Sequence, residues 1–341
     1  MVQKGTISIA FVAGALEGVR ARGLAAGPLL VKAGIPPALL DQPQARVSAA
    51  AYGTLLRLIA QVLDDEFFGQ DSRRMKVGSF AMLCRAVVQC RRLDRALGRT
   101  LRFFGLLLDD IHPTLERDGG SLRLALRERS PDAPPRIFAQ ETLLVFVHRL
   151  CCWLVNRRLP IQAAQFRYPE PAHGTEYRIL FTPRLHFGQA RTALLFDAAL
   201  GELPVARSEA ALKDFLRLAP ENLLVQYKDS RGVAMQVRGR LRAAPPADWP
   251  DFEAMAESMG MSPSTLRRRL EAEGHSYQGL KDRLRRDMAI ALLSGTSQSV
   301  MAIAAELGFA EASAFHRAFR KWTGACPGDY RGGISRPDDR G

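Results

Sequence analysis

The feature that most constrains this chain is a degenerate repeat in its C-terminal third. The first copy is Met255–Gly274, MAESMGMSPSTLRRRLEAEG, and the second is Ile303–Gly324, IAAELGFAEASAFHRAFRKWTG. Each begins with an apolar residue and an alanine, Ala256 or Ala304, four residues before a glycine, Gly260 or Gly308. A polar turn follows, then a helix with apolar side chains four apart, and a closing glycine. The small alanines let a first helix approach a second closely. The glycines supply the positive φ that ends the first helix and turns the chain. Ser262 and Glu311 stand where the second helices begin. Ser262 is placed to cap, and Pro263 suits a first helical position. Each copy therefore reads as a helix-turn-helix.

On a wheel of about 100° per residue, Leu266 and Leu270 point inward in the first copy. Ser264 and Arg268 lie opposite, flanked by Arg267. In the second copy Phe315 and Phe319 point inward, Ser313 and Arg317 lie opposite, and His316 flanks them. Arginine can read guanine bidentately in the major groove of DNA. Between the copies, Ser276–Leu293 reads as one helix of about 18 residues, hence about 27 Å long. Such a strut can hold two recognition helices near one DNA turn apart, about 34 Å. Lys281, Arg283, Arg285 and Arg286 on the strut, with Lys321 in the second copy, are candidates for phosphate contacts that add affinity but no sequence information. A single Arg-rich helix face is usually only solvated. Two ordered copies joined by a strut of suitable length are far more specific, and they point to double-stranded DNA.

Composition agrees without locating the site. The 341 residues suggest two domains at about 150 residues each, and 47% hydrophobic content is enough for two cores. The net charge of +13 fits a polyanionic partner, nucleic acid or a membrane surface. Residues 231–341 hold 17 Lys and Arg against 13 Asp and Glu, a net of +4, which leaves +9 for residues 1–230. Charge alone would not have found the repeat.

The five cysteines, Cys84, Cys90, Cys151, Cys152 and Cys326, form no C-x-x-C pair and sit near no histidine at zinc spacing. They read as structural thiols of a reducing cytosol, with no metal and no cofactor expected. The apolar stretch Ile7–Leu16 follows Lys4 in the manner of a signal peptide, but its apolar face continues past Glu17 and Arg20 as in an amphipathic helix. No run approaches the ~18–20 apolar residues of a membrane span, so no membrane partner is expected. No G-x-G-x-x-G, P-loop, H-E-x-x-H or G-x-S-x-G motif is present, and the chain is not expected to be an enzyme. His148 reads as a core residue in an apolar helix, and His112 as part of a polar loop.

Residues 6–110 read mainly as helix, with Ser48–Leu63, Ser79–Cys90 and Leu93–Leu108 the clearest segments. Ile111–Glu116 and Ser121–Arg127 flank Asp118-Gly119-Gly120 as a β-hairpin. Phe138–Leu159 is a long apolar helix. Ala164–Tyr168 and Ala193–Phe196 read as strands, and Glu176–Phe181 and Glu209–Leu218 as helices. The expected fold is an α+β N-terminal regulatory domain, helices covering a small sheet, followed by an all-α C-terminal domain.

At these residues the chain resembles the AraC/XylS family of transcription regulators. The resemblance spans about Val233–Arg331 and is carried by GMSPSTLRRRLEAEGHSY, KDRLRRDMAIALL, IAAELGF and SAFHRAFRKWTGACPGDYR. It implies that both units enter the major groove. The family's base-contacting positions carry over onto Ser264, Arg267 and Arg268, and onto Ala312, Ser313, His316 and Arg317. Ala312 has no side-chain donor or acceptor, so the second unit is expected to read less sequence. Tyr177–Val205, YRILFTPRLHFGQARTALLFDAALGELPV, resembles the arabinose-binding-like regulatory domain of some family members. That label implies a sensor and dimerisation module, not arabinose itself. Some family members carry alkyl-transfer DNA repair domains, but Cys326 lies in no Pro-Cys-His-Arg setting.

The resulting expectation is a cytoplasmic, homodimeric regulator, classed as an activator although activation or repression depends on promoter position. A sensing and dimerisation domain spans 1–225, a linker 226–232, the double helix-turn-helix 233–331 and a disordered tail 332–341. A small-molecule effector would bind between sheet and helices, and RNA polymerase would be a partner. The alternative is a constitutive regulator whose N-terminal domain only dimerises. A DNA-modifying enzyme is the weakest reading.

Overall fold

The computed structural model describes residues 5–130, 132–217, 219 and 232–331. The alternation around Gly119 does form a hairpin. Strands β3 (Ile111–Asp118) and β4 (Ser121–Glu128) pair antiparallel with Asp118 opposite Ser121, leaving Gly119-Gly120 as the turn. These strands belong to a five-stranded sheet of order β3-β4-β7-β5-β6. β5 (Ala163–Gln165) and β7 (Thr192–Asp197) extend it antiparallel, and β6 (Leu185–His186) runs parallel to β5.

The helices up to residue 217 are α1 (Ile9–Ala21), α2 (Gly27–Lys32), α3 (Ala49–Leu63), α4 (Ser79–Val88), α5 (Leu93–Leu107), α6 (Ile137–Leu154), α7 (Tyr177–Leu180) and α8 (Glu209–Arg217), and α5 packs on β3 and α6. The α+β expectation is met, with helix bounds within a few residues of those read from periodicity. α6 is long and apolar enough to cross a membrane, yet 89% of it is buried inside the fold. Its length comes from burial on all sides, which removes the polar face of an ordinary surface helix. In α1, Val12, Ala15, Leu16 and Val19 are fully buried, so the apolar N-terminal stretch is one face of a packed helix.

The C-terminal region is helical throughout its described length: α9 (Val233–Arg242), α10 (Phe252–Ser258), α11 (Pro263–Ala272), α12 (Tyr277–Gly295), α13 (Val300–Glu306) and α14 (Ala312–Thr323). The chain divides into two compact units, one of residues 10–29 and 53–227, the other of residues up to 9, 30–52 and from 228 on. The second unit thus includes a two-stranded ribbon from near the N-terminus, β1 (Thr6–Ser8) against β2 (Arg46–Ser48). Thr6 Oγ1 donates to Asp287 Oδ1 on α12 at 2.6 Å, and the Arg46 amide donates to the Tyr330 hydroxyl at 3.1 Å. Residues 226–231 of the expected linker 226–232, and the expected tail 332–341, lie outside the described residues, while Gly232 stands at the cap of α9.

His148 is buried on α6, and its Nε2 donates to the Leu159 carbonyl at 2.9 Å. Burial, with help from the Arg149 and Arg158 charges, pulls its pKa down to about 3, so the folded imidazole is neutral. The unfolded chain, with an ordinary histidine near ~6.5, binds more protons between these values. Stability from this residue is complete above that range and is lost as pH falls. Between pH 7 and 5.5 the loss is about 1 kcal/mol. Urea midpoints across this window should fall more steeply for the native chain than for His148→Gln; parallel curves would contradict the buried neutral imidazole.

Candidate DNA interface

The two copies of the repeat fold alike. Asp251 caps α10 by accepting from the Ala254 amide at 2.8 Å, and Ser299 caps α13 through the Ala302 amide at 3.1 Å. Ala256 and Ala304 are buried where the paired helices meet. Gly260, at φ +65°, and Gly308, at φ +77°, turn the chain, and Gly274 and Gly324, both at φ +73°, follow the second helices. Ser262 caps α11 through the Thr265 amide at 3.3 Å, with Pro263 as its first residue. Glu311 occupies the cap position of α14 without a side-chain cap bond. Its carboxylate accepts from Ser313 Oγ at 3.0 Å instead.

Leu266 and Leu270 on α11, and Phe315 and Phe319 on α14, are buried as the wheel required. On the opposite faces Ser264, Arg267, Arg268, Ser313, His316 and Arg317 are exposed, and Ala312 is half-buried. All sequence-derived base-reading candidates therefore lie on the first turns or outward faces of the two second helices. Arg267 is not loose: its guanidinium stacks 5.4 Å from the Phe252 ring centroid. A cleft of about 470 Å³ opens here, lined by Phe252, Arg267, Glu271, His275, Tyr277 and Lys281 among others.

The strut α12 has 19 residues, close to the expected length. Its phosphate candidates differ in how free they are. Lys321, on α14, is exposed. Lys281 is half-buried, 3.4 Å from the Pro250 carbonyl and over the Tyr277 ring, and burial lowers its pKa. Arg286 pairs with Asp287 at 3.0 Å. Arg285 is more deeply engaged. Its guanidinium lies 5.2 Å from the Trp249 ring and 5.6 Å from the Phe309 ring, and its Nε donates to the Leu307 carbonyl at 3.1 Å. It therefore joins the approach to the first unit to the turn of the second.

Sequence reasoning missed this clamp, and it missed Glu273. The Glu273 carboxylate accepts from the Val233 amide at 2.7 Å and the Ala234 amide at 2.9 Å, capping α9 from 40 residues away. Nothing local in the sequence points to either, because the rings around Arg285 and the amides that Glu273 caps lie 24 to 40 residues away.

Two helix-turn-helix units, each presenting an exposed arginine-bearing second helix, define a DNA-binding protein with a separate α+β domain. The profile described as "Arabinose-binding domain of AraC transcription regulator, N-term" matches residues 23–205, and one described as "Helix-turn-helix domain" matches residues 255–333. The chain is 30% identical to the ornithine utilization regulator of Pseudomonas aeruginosa over 95% of its own length and 96% of that protein's. It is 28% identical to the regulator VirS of Mycobacterium tuberculosis over 90% of this chain and 92% of that one. Among solved structures, the regulator CdpR of Pseudomonas aeruginosa aligns over 95% of this chain and 98% of its own at 19% identity, with a TM-score of 0.32. The chain belongs to the AraC family of transcription regulators.

Both turn glycines hold a conformation that costs other residues about 1–3 kcal/mol, but their surroundings differ. A Cβ on Gly260 would meet open space, whereas one on Gly308 would lie 3.1 Å from backbone atoms of Ala247. Gly308→Ala should therefore destabilise the chain more than Gly260→Ala in chemical denaturation. Equal losses would mean that the Ala247 approach carries no energy.

Proposed function

We propose that the chain recognises promoter half-sites through Ser264, Arg267 and Arg268 in one major groove and through Ser313, His316 and Arg317 in the next. The observation that carries this reading is the matched exposure of these side chains on two like-built helices. Ala312 offers only apolar contact, so the second unit reads fewer bases. Lys321 and Lys281 meet phosphates, with Arg285 and Arg286 adding charge from more constrained positions. The regulator works in the cytoplasm as a homodimer, and RNA polymerase is its partner at the promoter.

The α+β domain is read as the sensor of a small-molecule effector, in line with its match to a domain described as arabinose-binding and with a relative named for ornithine utilization. The cavity between sheet and helices, lined by Leu97, Leu124, His148, Cys151 and Phe196 among others, is wholly apolar and about 20 Å³. That is room for one water-sized group, so a metabolite bound there requires helix movement. The small cavity favours, as a second reading, a domain that only dimerises. An effector acts only if it binds two arrangements of the protein unequally. A metabolite extract that raises the melting temperature supports the sensor; no response supports the dimer module.

Arg268→Ala should cost about 1–3 kcal/mol in specific DNA binding if the side chain pairs bidentately with a base. Lys321→Ala should weaken binding evenly across sequences and flatten its salt dependence. Gel-shift titrations on specific and random duplexes separate these effects. Unchanged affinity of Arg268→Ala for both duplexes would remove this helix face from the interface.

A further inference from the structure

We propose that Arg149 anchors a binding site for an anionic small molecule, one carrying a carboxylate or a phosphate, in the α+β unit. The proposal rests on the effector reading and gives that effector a charge and a place. Arg149 is 2% exposed, among the largest fully buried side chains in the protein. A guanidinium carries five N–H donors. Among the described residues Nε and Nη1 have no partner, and Nη2 has only the Leu180 carbonyl at 3.4 Å. Burial pulls its pKa down to about 10, which still leaves it cationic at neutral pH.

Among the described residues no acidic group acts on its charge: the titratable side chains within Coulombic reach are the neutral His148, Cys152, one turn along α6, and Arg158. Burial pushes the Cys152 thiol up, so it stays neutral. Arg158 is a second cation, half-buried and without a hydrogen bond or ion pair among the described residues. The acid on the same helix, Glu141, is already occupied: it accepts from the Tyr177 hydroxyl and pairs with His173 at 2.6 Å. One end of α6 thus carries a completed polar network, and the other carries an isolated charge.

An isolated buried cation is strongly unfavourable, and native proteins pair such groups. With no counter-charge among the described residues, the proposal assigns that role to a bound ligand. The planar fork of a guanidinium matches a carboxylate or phosphate bidentately, and a second arginine nearby completes an anion clamp. At about 100° per residue, Arg149 lies on the side of α6 away from Val147 and Cys151, which line the small apolar cavity. The site is therefore distinct from that cavity. Leu180, whose carbonyl Arg149 touches, ends the one-turn helix α7, and its neighbour Ile179 is 41% exposed. A single helical turn is marginal on its own, so it is the element that shifts most readily to admit a ligand.

The test uses the full chain and melting temperatures in sodium phosphate and in sodium acetate, each against chloride at equal ionic strength. The native chain should gain several degrees in phosphate or in acetate, and whichever anion acts identifies the head group. Arg149→Met should melt higher than the native chain in chloride, because an unpaired charge is gone, and should lose the anion-specific gain. Arg158→Gln, a change at a half-buried position, should keep the fold and lose part of that gain; it carries the test if Arg149→Met fails to fold. An equal gain in Arg149→Met, or no gain in the native chain, overturns the site. A metabolite extract that stabilises Arg149→Met as well as the native chain would leave the sensor reading standing while this site falls.

Discussion

The guanidinium of Arg285, set between Trp249 and Phe309 with its Nε on the Leu307 carbonyl, is the contact on which the DNA-binding unit depends. A helix-turn-helix of some twenty residues buries too little apolar surface to stand alone. Each copy here borrows a core from α12. Leu280 and Leu284 of that helix join Leu266, Leu270, Met255 and Val237 in the first core. Further along, Ala289, Ile290 and Leu293 are buried outside that cluster, where α12 meets α13 and α14. A shared helix fixes the spacing of two units but not their rotation about its axis. Arg285 adds a lateral tie, because its rings come from the segment leading into one unit and from the turn of the other. Gly308 belongs to the same junction, with the backbone of Pro246 and Ala247 against its missing side chain.

That junction also marks where sequence reading stops. The helix-turn-helix units were legible because their determinants are local: the alanine, the positive-φ glycine, the Ser262 cap and the four-residue apolar spacing all act within a few residues. Arg285 looked like a phosphate contact because a basic residue on a helix is ordinarily solvated, and its aromatic neighbours lie 36 residues before it and 24 after it in the sequence. Glu273 gave no signal, since a carboxylate capping a helix that starts at Val233 has no local pattern. In the α+β unit the hairpin around Gly119 was legible, whereas β6 is two residues long and too short to show a period. The ribbon of β1 and β2 was missed for a related reason: three-residue strands take their identity from a partner 40 positions away.

Burial of polar groups organises the α+β unit as much as apolar packing does. Asp65 is fully buried and accepts from the amides of Phe67 at 2.9 Å, Gly69 at 2.8 Å and Met75 at 3.0 Å, which fixes the loop between α3 and α4. On α6, Gln140 donates to Glu128 Oε1 at 2.8 Å and accepts from the Thr192 hydroxyl, joining helix and sheet. These groups are satisfied, as buried polar atoms must be. Against that background Arg149 stands apart: two of its guanidinium nitrogens, Nε and Nη1, are buried without a partner among the described residues, where Arg123 leaves one.

The two units are joined by more than one passage of the chain. The chain passes from one unit to the other between residues 9 and 10, 29 and 30, 52 and 53, and 227 and 228. The first three passages fall inside α1, α2 and α3. β1 leads directly into α1 and β2 into α3, so the ribbon that holds Asp287 and Tyr330 is continuous in sequence with those helices.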